Sequence, residues 1–376
     1  MNSTSKSSMG RLTVNLDAVV ANWRVLAQLG RGADCAAVVK ANAYGLGVAP
    51  IAKALNDSGC TAFFVATAAE GVELRGAIGG GASIYVLNGY QAIESDLFGR
   101  HALMPVINSC DQLHQWFLKG QPDAYAVMAD TGMSRLGMSA EELLGQLKSL
   151  RADGRLAPHL LLSHLACADE PAHELNYVQL QRFQTVVAEA KALQPALKCS
   201  FASTAGIYLG SSWHFDLLRP GIALYGGSPD PTQPLALNRV VELQLPILQV
   251  RTLKETASVG YGAAQTLPAG AVLATVCGGY ADGLLRSLSG RTFGYLGGVR
   301  VPMVGRVSMD YCVFDISNAI EKLGFNAVNE MGAVEILGEH QSVDELAISS
   351  GTLAYEVLTS LGNRYARVYQ HSGVAL

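Results

Sequence analysis

Apolar residues follow two alternating patterns along the first part of the chain. From Leu16 onward, Leu16, Val19, Val20, Trp23, Leu26 and Ala27 fall at helical spacing and Gly30 supplies a stop, which predicts an opening helix. Short apolar runs then alternate with helical stretches. The runs are Cys35–Val39, Ala62–Ala66, Ser83–Leu87, Leu103–Ile107, Ala124–Met128, Leu160–His164, Lys198–Ala202 and Ile222–Tyr225. Such continuity marks strands buried on both faces, as in a parallel sheet covered by helices. Between them lie Ser139–Leu150, where Ser139 and Glu142 have capping-box spacing, and the long segment Pro171–Leu193. About eight strands is the number that closes a (β/α)8 barrel of the TIM type. A doubly wound open sheet fits the same alternation, because periodicity does not report closure; the count favours the barrel.

Past Tyr225 the pattern changes. Gly226–Pro234 combines Pro229, Pro231 and Pro234 with Gly, Ser and Asp, which is turn or linker chemistry. Beyond it, Val240–Val250, Ala271–Cys277, Thr292–Tyr295, Val299–Val304 and Val334–Leu337 read as short strands, interrupted by one helix at Ser342–Ser349 that the Ser342 and Glu345 pair opens. The expected organisation is a flexible N-terminus over 1–10, an α/β barrel over 11–234 and a mainly β domain over 235–376.

Composition narrows the function classes. With 49% hydrophobic and 15% charged residues, 376 residues suffice for two packed cores. A net charge of −4 without a basic stripe disfavours nucleic acid as a partner. Mean hydropathy is +0.23, yet no apolar stretch reaches the ~20 residues needed to span a bilayer. The polar, Ser-rich start lacks a signal-peptide core, and the seven cysteines lie apart with no Cys-x-x-Cys pair. Reduced thiols in a cytoplasmic protein are the expectation, with neither a disulfide framework nor a zinc site.

Active sites of such barrels sit at the carboxyl ends of the strands. Lys40 ends the first predicted strand, Asp130 and Arg135 follow the fifth, His164 closes the sixth, Ser203 and Thr204 follow the seventh, and Arg219 with Gly221 precede the eighth. Lys40 after Ala36-Ala37-Val38-Val39 is the sharpest case. It is either a strand-end lysine whose stem snorkels to water, or an amine made reactive by burial or covalent modification.

The segment from Val38 to Gly47, with Lys40-Ala41-Asn42-Ala43-Tyr44-Gly45, resembles the cofactor-lysine signature of bacterial alanine racemases. Further similar segments keep the family's order: Asp130 to Gly137, Ser163-His164, Arg219 to Gly226, Val259 to Gly262, Gly279 to Gly283, Gly305 to Asp310 and Tyr355-Glu356-Val357. The resemblance covers nearly the whole chain. It implies pyridoxal 5'-phosphate as cofactor, alanine as substrate, a homodimer with shared active sites, and interconversion of L- and D-alanine by two opposed bases. Lys40, holding the cofactor as a Schiff base, serves one face of the substrate Cα; Tyr261 of the other subunit serves the opposite face. A phenol near its ordinary pKa of ~10 is a poor base at neutral pH, so it needs a supporting chain, which the resemblance assigns to His164 and Arg219.

Arg219 is further implied to contact the pyridine nitrogen. Because a guanidinium keeps its protons, the ring becomes a weaker electron sink. The phosphate falls to the Tyr44, Thr204 and Tyr355 hydroxyls and the Gly221 and Ile222 amides, with Ser203 alongside. Arg135 and the Met309 amide hold the substrate carboxylate, while Tyr280, Arg306 and Asp310 line the access corridor.

Three positions depart from the family pattern. Met128 stands where many members carry a carbamylated lysine beside the carboxylate-binding arginine, so a chloride or another acidic group is expected to compensate at Arg135. Leu46 replaces a commoner histidine, and Ser203 an asparagine. Alternatives are a broader racemase acting on serine or larger amino acids and a non-catalytic carrier of the cofactor. The carrier reading fits poorly, because single-domain barrel relatives lack a β domain. Barrel decarboxylases share the Val-Lys-Ala-Asn start, but no later His-x-Gly-Ser motif follows here.

Overall fold

In the computed structural model, residues 10–120, 124–155, 158–230, 232–371 and 374–375 are described. The expected flexible segment therefore lies, apart from Gly10, outside the described residues. Two compact units emerge, one formed by Val19–Leu224 and the other by the chain up to Ala18 together with Tyr225–Leu376.

The first unit is the barrel. Parallel strands Ala37–Val38, Ala62–Val65, Ser83–Val86, Leu103–Ile107, Ala126–Met128, Leu160–Leu162 and Lys198–Ser200 pair in chain order. Their apolar residues are buried almost without exception, which explains the unbroken runs in the sequence. Closure uses a strand that the pattern does not reveal. Leu217–Leu218 pairs in parallel with Asp34–Cys35, just ahead of Ala37–Val38, and the Arg219 amide donates to the Ala202 carbonyl at 2.9 Å. The eighth strand is thus Leu217–Leu218; Ile222–Tyr225, expected as that strand, is a buried 3-10 turn. Short buried apolar runs look alike in both conformations, so periodicity cannot separate them.

Helix Ala140–Ala152 starts at Ser139, whose side chain accepts from the Glu142 amide while Glu142 reaches back, and the long helix Glu174–Leu193 follows the sixth strand. Phe64 and Tyr85 stack inside the barrel, with ring centroids 4.6 Å apart.

A nine-stranded sheet organises the second unit. Six of its strands form a closed ring: Val272–Cys277, Tyr311–Asp315, Val299–Val304, Phe293–Leu296, Ala333–Leu337 and the long Val241–Thr252, which pairs again with Val272–Cys277. Closure removes the exposed edges that would invite aggregation. Arg11–Asn15 extends this sheet, antiparallel to Val241–Thr252 and parallel to Ala366–His371. The boundary of 11–234 expected for the barrel is corrected accordingly. Its first strand belongs with the β unit, because its hydrogen-bonding partners lie more than two hundred residues away and leave no local signal. Helices Ser317–Leu323, Phe325–Met331 and Ala354–Ser360 join the anticipated Val343–Ser350, so the unit is less purely β than the sequence implies.

Candidate active site

Each candidate on the barrel unit sits just past the carboxyl end of a strand. Lys40 follows Ala37–Val38 and begins a turn in which Ala41, Asn42, Ala43 and Tyr44 all have left-handed backbone, with φ between 51° and 55°. Such backbone costs L-residues about 1–2 kcal/mol each, so surrounding bonds must hold the turn. The Ala41 amide donates to Glu70 at 2.8 Å, the Val48 amide to the Asn42 side chain at 2.7 Å, and the Gly45 amide to the Ala41 carbonyl at 2.8 Å. Burial lowers the Lys40 pKa and Arg135 adds to this, with Glu70 opposing. An amine so placed is more often neutral, as a nucleophile or base requires.

Arg219 comes directly after Leu217–Leu218, following the eighth strand rather than preceding it. Its guanidinium is buried and held by neutral oxygens: Ser200 Oγ at 2.5 Å, the Ser163 carbonyl at 2.6 Å and the Phe201 carbonyl at 3.4 Å. The nearby Asp216 is engaged elsewhere, pairing with Lys191 at 3.0 Å and accepting from the Cys199 amide. Burial presses the guanidinium pKa down to about 10, which still leaves a full charge at neutral pH.

Burial, with Arg219, Arg135 and Lys40 nearby, pushes the His164 imidazole down to about 3. The folded chain therefore keeps it neutral, while an unfolded chain takes up a proton near ~6.5. Stability associated with His164 is complete above that value and is lost as pH falls toward the folded pKa, at up to ~1.4 kcal/mol per pH unit. Thermal melts of cofactor-free protein should show His164→Gln with a shallower loss of Tm between about pH 6 and 4 than the parent. Equal slopes would contradict the assignment.

Arg135 is exposed on the barrel unit, in the loop that returns from Ala129 to Met138. The Asp130 carboxylate shapes this loop by accepting from the Gly132, Met133 and Ser134 amides at 2.8–3.2 Å. A buried network lies beneath. Thr131 Oγ1 contacts Ser163 Oγ at 2.8 Å, and the Gln179 amide group bonds both Thr131 and the His164 carbonyl.

Gly221 supplies a cradle. A Cβ built there would collide with the Tyr44 hydroxyl and sit 3.6 Å from Val38 Cβ. Its amide donates to Thr204 Oγ1 at 3.0 Å, so Tyr44, Thr204 and the start of the Ile222–Tyr225 turn converge at one spot, with Ser203 leading into Thr204. Convergent hydroxyls and backbone amides around a glycine suit a phosphate-sized anion.

On the β unit, Tyr261 opens a turn after strand Ala257–Val259 and is 72% exposed. Arg306 lies beside it: a Cβ at Gly262 would meet Arg306 Nη1 at 2.8 Å. The Tyr280 amide donates to the Ser308 carbonyl and the Ala281 amide to the Met309 carbonyl, both at 3.0 Å, which places Tyr280, Met309 and Asp310 together. Arg364 forks across the buried Asp282 at 2.6 and 2.7 Å and reaches Asp310 at 2.7 Å, locking the loop that presents Met309. Tyr355 lies in helix Ala354–Ser360, half-buried.

Glu70, Ser200, Gln179 and Arg364 were not singled out by sequence reasoning. Ser200, a hydroxyl inside an apolar strand, and the Thr67-x-x-Glu70 spacing were the readable signals. Nothing local marks the other two.

A barrel end that carries Lys40 and a β unit with an exposed Tyr261 place the candidate chemistry on a (β/α)8 scaffold. Residues 14–229 match the alanine racemase N-terminal domain and residues 240–369 its C-terminal domain. The chain is 46% identical to the alanine racemase of Rhodospirillum rubrum, over 95% of both sequences. It is 41% identical to the catabolic alanine racemase of Agrobacterium fabrum, over 97% of this chain and 93% of that one. A crystal structure of alanine racemase from Bartonella henselae with covalently bound pyridoxal phosphate superposes with a TM-score of 0.86 at 36% identity, covering 96% of this chain and 99% of that one. The chain belongs to the alanine racemase family, enzymes of the isomerase class.

Proposed function

We propose that this chain interconverts L- and D-alanine with pyridoxal phosphate held on Lys40. The observation that carries this reading is a half-buried lysine, its pKa lowered by desolvation and by Arg135, on the same barrel end as the Tyr44, Thr204 and Gly221 cradle. The residues fit the cofactor. Lys40 Nζ would bond its aldehyde carbon, the cradle and Ile222 amide would hold its phosphate, and the Tyr355 hydroxyl and Ser203 would complete the set. Arg219, bonded to the neutral oxygens of Ser200, Ser163 and Phe201, suits the pyridine nitrogen. When bound, the cofactor supplies an electron-withdrawing system that acidifies the substrate Cα.

The chain's own groups do the rest. Arg135 and the Met309 amide orient the carboxylate, Lys40 moves the proton on one face of Cα, and Tyr261 moves it on the other. His164, kept neutral, can accept and relay a hydrogen bond between Arg219 and the phenol. Tyr280, Arg306 and Asp310 control access. The exposure of Tyr261 at 72% and Met309 at 54%, with Tyr280 and Tyr311 beside them, supports a homodimer in which this face meets a second copy. No helix among the described residues is long and apolar enough to cross a membrane, and the cytoplasm is the proposed compartment. Supply of D-alanine for peptidoglycan and catabolism of alanine are both compatible roles.

Incubating cofactor-loaded protein with L-alanine in deuterated water tests the reading. Expected are D-alanine and a deuteron at Cα; faster turnover of L-serine than of L-alanine would favour the broader racemase, and no exchange at all would leave a carrier. Gly221→Ala should weaken pyridoxal phosphate binding about tenfold to a hundredfold, since the added methyl displaces the Tyr44 hydroxyl at an overpacking cost of ~1–3 kcal/mol. Equilibrium dialysis giving a parental Kd would remove Gly221 from the cradle.

A further inference from the structure

One carboxylate ties three backbone amides around Lys40. Glu70 Oε1 accepts from the Ala41 amide at 2.8 Å, and Oε2 accepts from Ala66 at 2.7 Å and Thr67 at 3.4 Å. Glu70 is itself fixed, as the third residue of helix Ala68–Ile78 in a capping box with Thr67. It therefore joins the end of the second strand to the turn that follows the first. Ala41 is where that turn enters left-handed backbone, at φ 53° and ψ 47°, and it adjoins Lys40.

We propose that Glu70 is a positioning residue for Lys40: by holding the Ala41 amide it stabilises the left-handed turn and fixes the direction in which the lysine leaves the strand. The inference rests on the assignment of Lys40 as the cofactor lysine. An alanine in this conformation has a steric cost that glycine lacks, so the bond from Glu70 should matter only while residue 41 carries a Cβ. Its charge has a second effect, because Glu70 opposes the lowering of the Lys40 pKa by burial and by Arg135. Of the charged groups acting on the amine, Glu70 opposes Arg135, which together with Lys40 and Arg219 also surrounds His164.

The test labels Lys40 in cofactor-stripped protein with pyridoxal phosphate, traps it with borohydride and follows the labelled peptide by mass across pH. In Glu70→Gln the midpoint should move to lower pH, and the limiting rate at high pH, where the amine is neutral in every variant, should fall about tenfold or more. Adding Ala41→Gly should restore the limiting rate to within about threefold of Ala41→Gly alone while the midpoint stays low. Should Glu70→Gln fail to fold, Glu70→Gln/Ala41→Gly against Ala41→Gly carries the comparison. A parental limiting rate in folded Glu70→Gln overturns the proposal, as does a tenfold deficit that persists in the glycine background. Labelling of the parent at a lysine other than Lys40 would instead overturn the cofactor assignment.

Discussion

Lys40→Ala should abolish racemisation in both directions and remove the borohydride-trapped cofactor from the chain. The amine has two roles, as covalent anchor and as proton carrier on one face of Cα, and the substitution removes both. Loss of a positioned base alone typically costs 10²–10⁴-fold, so the combined loss should exceed about four orders of magnitude. Folding should survive, because the residue that replaces lysine continues an apolar strand end whose neighbours Val38 and Val39 are already buried. Peptide mapping after reduction, together with a D-alanine assay, reads both consequences. Retained activity, or a trapped cofactor on another residue, would sink the assignment.

Why the sequence revealed some of this and not the rest follows from the range of the interactions. Seven barrel strands were legible because burial on both faces writes an uninterrupted apolar run into the chain. Leu217–Leu218 was not, since a two-residue strand is defined by its neighbours Asp34–Cys35 and by the Ala202 carbonyl, which are distant in sequence. Arg11–Asn15 was misplaced for the same reason. Polar residues at strand ends stood out against apolar surroundings, so Lys40, His164, Thr204 and Arg219 could be named in advance.

Their supporting partners could not. Ser200 under Arg219, Gln179 beneath the Arg135 loop and Arg364 across Asp282 and Asp310 acquire meaning only when strands converge. Geometry also fixes the surroundings of the named residues. Asp216, three positions before Arg219, is engaged by Lys191 and the Cys199 amide. The segment after Lys40 is a left-handed turn that no run of Ala, Asn and Tyr would announce.

Tyr261→Phe should be direction-specific. Removing one hydroxyl leaves Lys40 and the cofactor cradle intact, so trapping by borohydride should match the parent. Exchange of the Cα hydrogen of L-alanine with deuterated solvent should fall by about 10²–10⁴-fold, because the phenol is the proposed base on that face. Exchange from D-alanine, which relies on Lys40, should persist. Equal losses for both enantiomers would assign the tyrosine to binding instead of proton transfer. The same variant tests the shared site. When Lys40→Ala and Tyr261→Phe subunits are mixed and allowed to re-associate, a hybrid pair contains one site with neither group and one site with both. Random pairing should then restore about a quarter of parental racemisation. If each subunit used its own tyrosine, every site in the mixture would lack one base, and the activity would stay at the level of the separate variants.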